Sequence, residues 1–180
     1  MRGDRAYFKE GIVLPPNYVH ISRVELNKND KGLEVPHTPT IRASAPLHGS
    51  DGKAFAVLVI NFDLRPALAR VRASAAGDSE VYVVNEAGDY LVHPDQSKEF
   101  GFDLGERHRI QDDFPEFVSI LTAGPSDGQV MSRRDGERYG LGWQWVQLAG
   151  GPRVAVIEAG PDDRQFDEVL KIKRWIELLE

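Results

Sequence analysis

The side chains able to do binding chemistry fall into two sets. Arg5-Ala6-Tyr7-Phe8 puts a guanidinium next to two aromatic rings. Arginine offers a planar fork that can hold a carboxylate through two parallel hydrogen bonds, and a neighbouring ring can wall such a site. The plainer alternative is an ion pair from Arg5 to Asp4 or Glu10, with Tyr7 and Phe8 in a core. Asp63 ends an apolar strand and shares its face with Asn61, Val59 and Val57. Its carboxylate can reach a pocket rim or cap the helix that follows. The second set is Tyr90, His93, Trp143 and Trp145. Trp143 and Trp145 share a strand face and, with Tyr90 or Phe102, can line an aromatic pocket or fill a core. Strand parity sets His93 with Leu91, opposite Tyr90.

Other chemistries find no foothold. His20, His37, His48, His93 and His108 show no two-histidine ligand spacing, and no nucleophile elbow, phosphate loop or dinucleotide fingerprint occurs. Asp112-Asp113 are adjacent acids with no sign of facing each other as an acid/base pair. The chain is therefore expected to be non-catalytic and to hold no metal or cofactor. A formal net charge of −6 argues against a nucleic-acid partner. Arg133, Arg134 and Arg138, interleaved with Asp135 and Glu137, read as a solvated hairpin end. The absence of cysteine excludes disulfides and Cys-ligated metal. The longest apolar run, Phe55 to Phe62, falls short of the roughly 20 residues a spanning helix needs, so any membrane attachment is expected through segments outside this chain.

The elements that must position these residues are legible from periodicity. Residues 4–11 read as a helical turn capped by Asp4, closed by the breaker Pro15-Pro16. Strands follow at Tyr18 to Leu26, Thr40 to Leu47 and Ala54 to Phe62, parted by a polar turn at Asn27 to Gly32 and a Ser50-Asp51-Gly52 turn. Leu64, Leu68 and Val71 then recur at helical spacing, up to a stop at Gly77. Val81 to Val84 is apolar on both parities, as in a strand covered on both faces, and folds through Asn85-Glu86-Ala87-Gly88 onto a return strand ending at His93-Pro94. Residues 98–124 read as a crossover with a short helix from Pro115 to Leu121. Strands then run over Gln129 to Ser132, Tyr139 to Leu148 and Arg153 to Ala159. Asp162 caps a final helix in which Phe166, Val169, Leu170 and Ile176 recur at helical spacing.

This order, with the motifs Asp4-Arg5-Ala6-Tyr7-Phe8, Val59-Ile60-Asn61-Phe62-Asp63-Leu64, Tyr82 to Pro94 and Glu99-Phe100-Gly101-Phe102-Asp103-Leu104-Gly105, resembles the double Cache domain, a PAS-like extracytoplasmic sensor of bacterial receptors. The resemblance implies an α+β fold of antiparallel sheets with flanking helices. It implies a membrane-distal module over 1–76, a membrane-proximal module over 77–160 and a signalling helix over 161–180. Members of that family begin with a long helix and two further strands that have no counterpart here, so the first module is expected to be N-terminally incomplete and to expose a sheet edge. The implied function is periplasmic sensing of a small organic acid, amino acid or amine by the input domain of a histidine kinase, working as a homodimer. Alternatives are a diguanylate cyclase, a chemoreceptor or a non-binding dimerisation module. The resemblance also gives Arg5, Tyr7, Phe8, Asn61 and Asp63 ligand-facing roles, Arg5 as the guanidinium for a carboxylate. Tyr90, His93, Trp143 and Trp145 are the candidates of the second module.

Overall fold

A computed structural model describes residues 5–161. Asp4 and the helix expected from Asp162 to Leu179 lie outside the described residues. The chain forms two compact units. One takes the residues up to Pro66 with Leu148–Pro152, and the other Ala67–Gln147 with the chain from Arg153.

The first unit opens with helix α1, Ala6–Ile12, which has no side-chain cap. Two short strands follow, β1 at His20–Ile21 and β2 at Glu25–Leu26. A small hairpin comes next, β3 at Lys28–Asn29 and β4 at Gly32–Leu33, inside the stretch expected to be only a turn. Two ten-residue strands, β5 at Pro39–His48 and β6 at Ala54–Asp63, form the body of the antiparallel sheet. The strand expected over Tyr18 to Leu26 is broken at Ser22-Arg23, where Ser22 leaves the ladder. Its backbone N–H donates to Arg42 O at 2.8 Å, and its Oγ accepts from Arg42 N–H at 2.9 Å. β1 and β2 therefore share one edge of β5, with β6 on the other. Among the described residues no strand pairs with the outer side of β6.

Helix α1 sits on the sheet face that carries Arg42, Ser44, Val57, Val59, Asn61 and Asp63, fixed by the register Arg42↔Asn61 and Thr40↔Asp63. Gly11 permits that approach. A Cβ there would stand 2.9 Å from Val57 Cγ1 and 3.1 Å from Ser44 Oγ, too close for any larger residue. The opposite face carries Leu58, Ile60 and Phe62 at 54%, 49% and 50% exposure, an open apolar surface for a β-strand.

The second unit begins within helix α2, Arg65–Ala73, which buries Leu68. Its sheet runs in the order β8-β7-β11-β10-β9. These strands are β7 at Glu80–Asn85, β8 at Tyr90–Val92, β9 at Gly128–Arg134, β10 at Glu137–Gln147 and β11 at Arg153–Pro161. Between β8 and β9 come the short helices α3 (Gly101–Leu104), α4 (Ile110–Asp113) and α5 (Phe117–Ala123). Val81, Tyr82, Val83 and Val84 are all buried, as a strand covered on both faces requires. The turn after β7 is held by Asn85, whose Oδ1 accepts the N–H groups of Ala87 and Asp89, with Gly88 at φ 85°. The core joins Ile110, Phe114 and Phe117 to Tyr82, Tyr90, Leu141, Trp143 and Ile157. Phe117 meets Trp143 edge-on at 5.5 Å between centroids.

Candidate functional site

A cleft of about 520 Å3 opens in the first unit, lined by Arg5, Ala6, Tyr7, Glu10, His20, Ser22, Arg23, Glu25, Lys28 and Arg42. Helix α1 supplies Tyr7 and Glu10. The broken strand supplies His20 to Glu25, and β5 supplies Arg42 from beneath. Arg42 is 4% exposed. Its Nη1 donates to Glu25 Oε1 at 2.5 Å and its Nη2 to Asn27 Oδ1 at 2.7 Å, and its guanidinium carbon lies 5.6 Å from the Tyr7 ring centroid. A buried guanidinium held on two sides and covered by a ring is a fixed positive charge, oriented before any ligand arrives. Arg5 donates to Asn29 O at 2.7 Å and lies 3.8 Å from the exposed carboxylate of Asp30. His20 Nε2 lies 2.7 Å from Glu10 Oε2, tying α1 to β1. Arg23 Nε donates to Glu25 Oε2 at 3.2 Å, so Glu25 serves two arginines. Among the described residues the wall therefore carries four cationic side chains against two carboxylates.

Of the residues singled out in the sequence, Arg5 and Tyr7 line this cleft, while Phe8, Asn61 and Asp63 do not. Asn61 and Asp63 share the sheet face of Arg42 but sit on the exposed edge strand. Asp63 is bound to its neighbour, for both of its oxygens accept from Arg65 Nε and Oδ1 also accepts the Arg65 backbone N–H at 2.9 Å. The side-chain bonds from Arg65, followed by that backbone bond, hold the Asp63 carboxyl below its ordinary range. Arg42 and Glu25 went unrecognised in the sequence. Their signal is faint, an arginine and a glutamate on expected strands whose pairing depends on the break at Ser22.

The second set behaves differently. Tyr90, His93 and Trp143 are buried and Trp145 is half-buried. The expectation that His93 faces away from Tyr90 is corrected. The pairing of β7 with β8 is irregular, with Val84 opposite Tyr90 and Val83 opposite Val92, so Leu91 is an extra residue that reverses the parity after it. His93 consequently packs 4.5 Å from the Tyr90 ring and 5.2 Å from Tyr82. Its ring faces Asp113 across 3.5 Å, and Asp113 also accepts from Tyr90 Oη at 2.7 Å and from Lys98 Nζ at 3.3 Å. Burial, with the Lys98 charge adding to it, lowers the His93 pKa below its ordinary 6.5.

The reading of Arg134 as part of a solvated hairpin end is likewise corrected. Its guanidinium turns inward, donating to Glu80 and to Tyr82 Oη at 2.6 Å each and to Tyr139 Oη at 2.9 Å, and it stacks over the rings of Phe114 and Tyr139. Alternating charges gave no hint of this, because Glu80 and Tyr82 come from β7 and Phe114 from the crossover. Trp143 Nε1 donates to Ser126 O at 2.7 Å, which completes the accounting for its indole.

With this geometry in hand, the sequence profile of the bacterial histidine kinase sensor domain matches residues 2–123. The chain belongs to that sensor-domain family. Among solved structures, this sensor domain is similar to the extracellular domain of the histidine kinase vpHK1S-Z8, with a TM-score of 0.73 at 19% identity over 94% of this chain and 62% of that one. It is also similar to the ligand-binding domain of the amino-acid chemoreceptor PctB of Pseudomonas aeruginosa PAO1, solved in complex with L-Arg, with a TM-score of 0.57 at 15% identity over 89% of this chain and 61% of that one. At these identities the likeness is one of fold, and the sensor domain spans about six-tenths of the length of those structures. A curated relative, choline oxidase of Arthrobacter globiformis, is 40% identical over 65 residues, 36% of this chain and 10% of that one. That stretch is too short a part of the oxidase to bring its chemistry with it. The α+β fold of antiparallel sheets and the extracytoplasmic setting of such sensors are those expected from the sequence.

Proposed function

We propose that this sensor domain is the input module of a histidine kinase and that its first unit binds a small carboxylate-bearing solute. The observation that carries the reading is the cleft, about 520 Å3, with four cationic side chains around a buried Arg42 fixed by Glu25 and Asn27. A preoriented guanidinium costs little entropy when a carboxylate docks, and a cleft of this size suits a solute of amino-acid dimensions. The PctB ligand, L-Arg, carries such a carboxylate. In this proposal Arg5 and Tyr7 touch the solute, and Asn61 and Asp63 stand outside it. The second unit, with Tyr90, His93 and Trp143 in its core, serves as the rigid successive module. Transmission through the segment 161–180, pairing of two such chains and a kinase output belong to the same proposal.

A thermal-shift screen of small organic acids and amino acids tests it. A solute that binds only the folded chain adds about 2.7 kcal/mol at roughly 100 times its dissociation constant. Arg5→Gln should abolish the response and leave the unliganded midpoint nearly in place, because its exposed partner Asp30 contributes about 0–1 kcal/mol. A panel without any response would remove the basis for a sensing role.

A further inference from the structure

The geometry points to an organic acid without an ammonium group as the ligand of the cleft, held best when it carries two carboxylates. This rests on the cleft being the binding site proposed above. An α-amino acid or an amine needs, beside its ammonium, a carboxylate or several carbonyls to replace the water it sheds. Among the described residues, the carboxylates that line the cleft already have partners. Glu10 is engaged by His20 at 2.7 Å, and Glu25 by Arg42 at 2.5 Å on one oxygen and by Arg23 at 3.2 Å on the other. Asp63, the acid that ends β6, is taken by Arg65 through both oxygens and does not line the cleft. Recruiting Glu25 or Asp63 for an ammonium means breaking an ion pair with an arginine, and recruiting Glu10 means giving up its contact with His20.

The sign of the field supports the same assignment. Arg5, Arg23, Lys28 and Arg42 stand against Glu10 and Glu25 around one concave wall. A cleft lined mainly by one sign of charge focuses its field on what enters. Asp30, near Arg5, is exposed, and solvent and salt screen its share. A second carboxylate on the ligand is attracted where an ammonium in the same place is repelled.

Calorimetric titration of the 180-residue chain with glutarate, butyrate and 4-aminobutyrate isolates the effect, since the three keep one carboxylate on a similar carbon chain and differ at the far end. Glutarate should bind most tightly and 4-aminobutyrate most weakly, at least about tenfold apart. Raising the salt should weaken glutarate more than butyrate. Arg23→Gln, at an exposed guanidinium, should cost glutarate severalfold in affinity and leave butyrate within about twofold. Butyrate binding as tightly as glutarate overturns the role of the second carboxylate. Binding of 4-aminobutyrate or L-alanine as tight as that of glutarate overturns the assignment while the cleft stands as a binding site. If none of these solutes binds, the cleft itself is not the site and both readings fall.

Discussion

The two units solve the problem of a half-covered antiparallel sheet in opposite ways. The second unit closes its sheet with α4 and α5 and fills the space between with rings, Tyr82, Tyr90, Phe114, Phe117 and Trp143, with the Tyr90 hydroxyl bonded to Asp113 and Arg134 to Glu80 at its perimeter. The first lays a seven-residue helix on its sheet and leaves a cleft whose floor is a buried charge. A packed aromatic interior draws its stability from area removed from water, whereas a charged floor is held by partners and is costly when a partner is lost. The lesson is that rigidity and receptivity are divided between the units. The closed one packs rings against its sheet, and the open one holds a buried, preoriented charge at the floor of a cleft.

Substitutions can sharpen or break that contrast. Phe117→Ala, at a fully buried ring packed on Trp143, should cost about 3–5 kcal/mol in urea unfolding followed by tryptophan fluorescence. A cost under about 1 kcal/mol would mean that the second unit is not held by its rings. Arg42→Met should cost about 3 kcal/mol by removing the buried guanidinium from Glu25 Oε1 and Asn27 Oδ1, and pairing it with Glu25→Gln should recover most of the loss, since replacing both members of a buried pair is often near neutral. A double variant no better than the single one would show that Arg42 stabilises through packing against Tyr7 instead of through charge.

Acidification gives a smaller effect, which His93 brings to the second unit first. The folded-state pKa of His93 is lowered, so the unfolded chain takes up the proton first, and stability present above about pH 6.5 is lost as pH falls below it. Burial raises the pKa of Asp113 and of Glu80, but hydrogen bonds and neighbouring cations outweigh it and leave both net lowered. Their contribution disappears lower still, below the ordinary 3.8 and 4.5. In a Trp175→Phe background, fluorescence of Trp143 and Trp145 should report an unfolding midpoint that declines between about pH 6.5 and 5. His93→Asn should flatten that slope, and an unchanged slope would assign it elsewhere. The smallest effect belongs to Asp63→Asn, which should leave ligand affinity within about twofold, because the carboxylate faces Arg65 and not the cleft.

How much of this was legible beforehand follows from which forces are local. The long strands β5, β6, β10 and β11 and the hairpin of β7 with β8 announce themselves through alternation and turn residues, and the structure places them within a residue or two of expectation. Arg5 and Tyr7 were visible because an arginine beside rings is a local pattern. Arg42 was not, since its importance comes from Ser22, Glu25 and Asn27, brought to it by pairing of β1 and β2 along β5. The one-residue irregularity at Leu91 was equally silent, yet it decides that His93 and Tyr90 meet. Arg134 misled for the same reason, because its partners Glu80 and Tyr82 lie more than fifty positions away in sequence.

The outer side of β6 has a consequence for the behaviour of the protein in bulk. Ala54 to Phe62 is nine residues without proline, glycine or charge, and only Asp63 and Lys53 stand at its ends. Its ladder groups face outward with no strand beside them among the described residues, under Leu58, Ile60 and Phe62. Such a segment is a template for fibrillar stacking, in which like strands add edge to edge and their apolar faces zip together. Concentrated or warmed solutions should therefore scatter light before the domain unfolds, and Leu58→Lys, a charge placed in the middle of that edge and away from the cleft, should delay the onset.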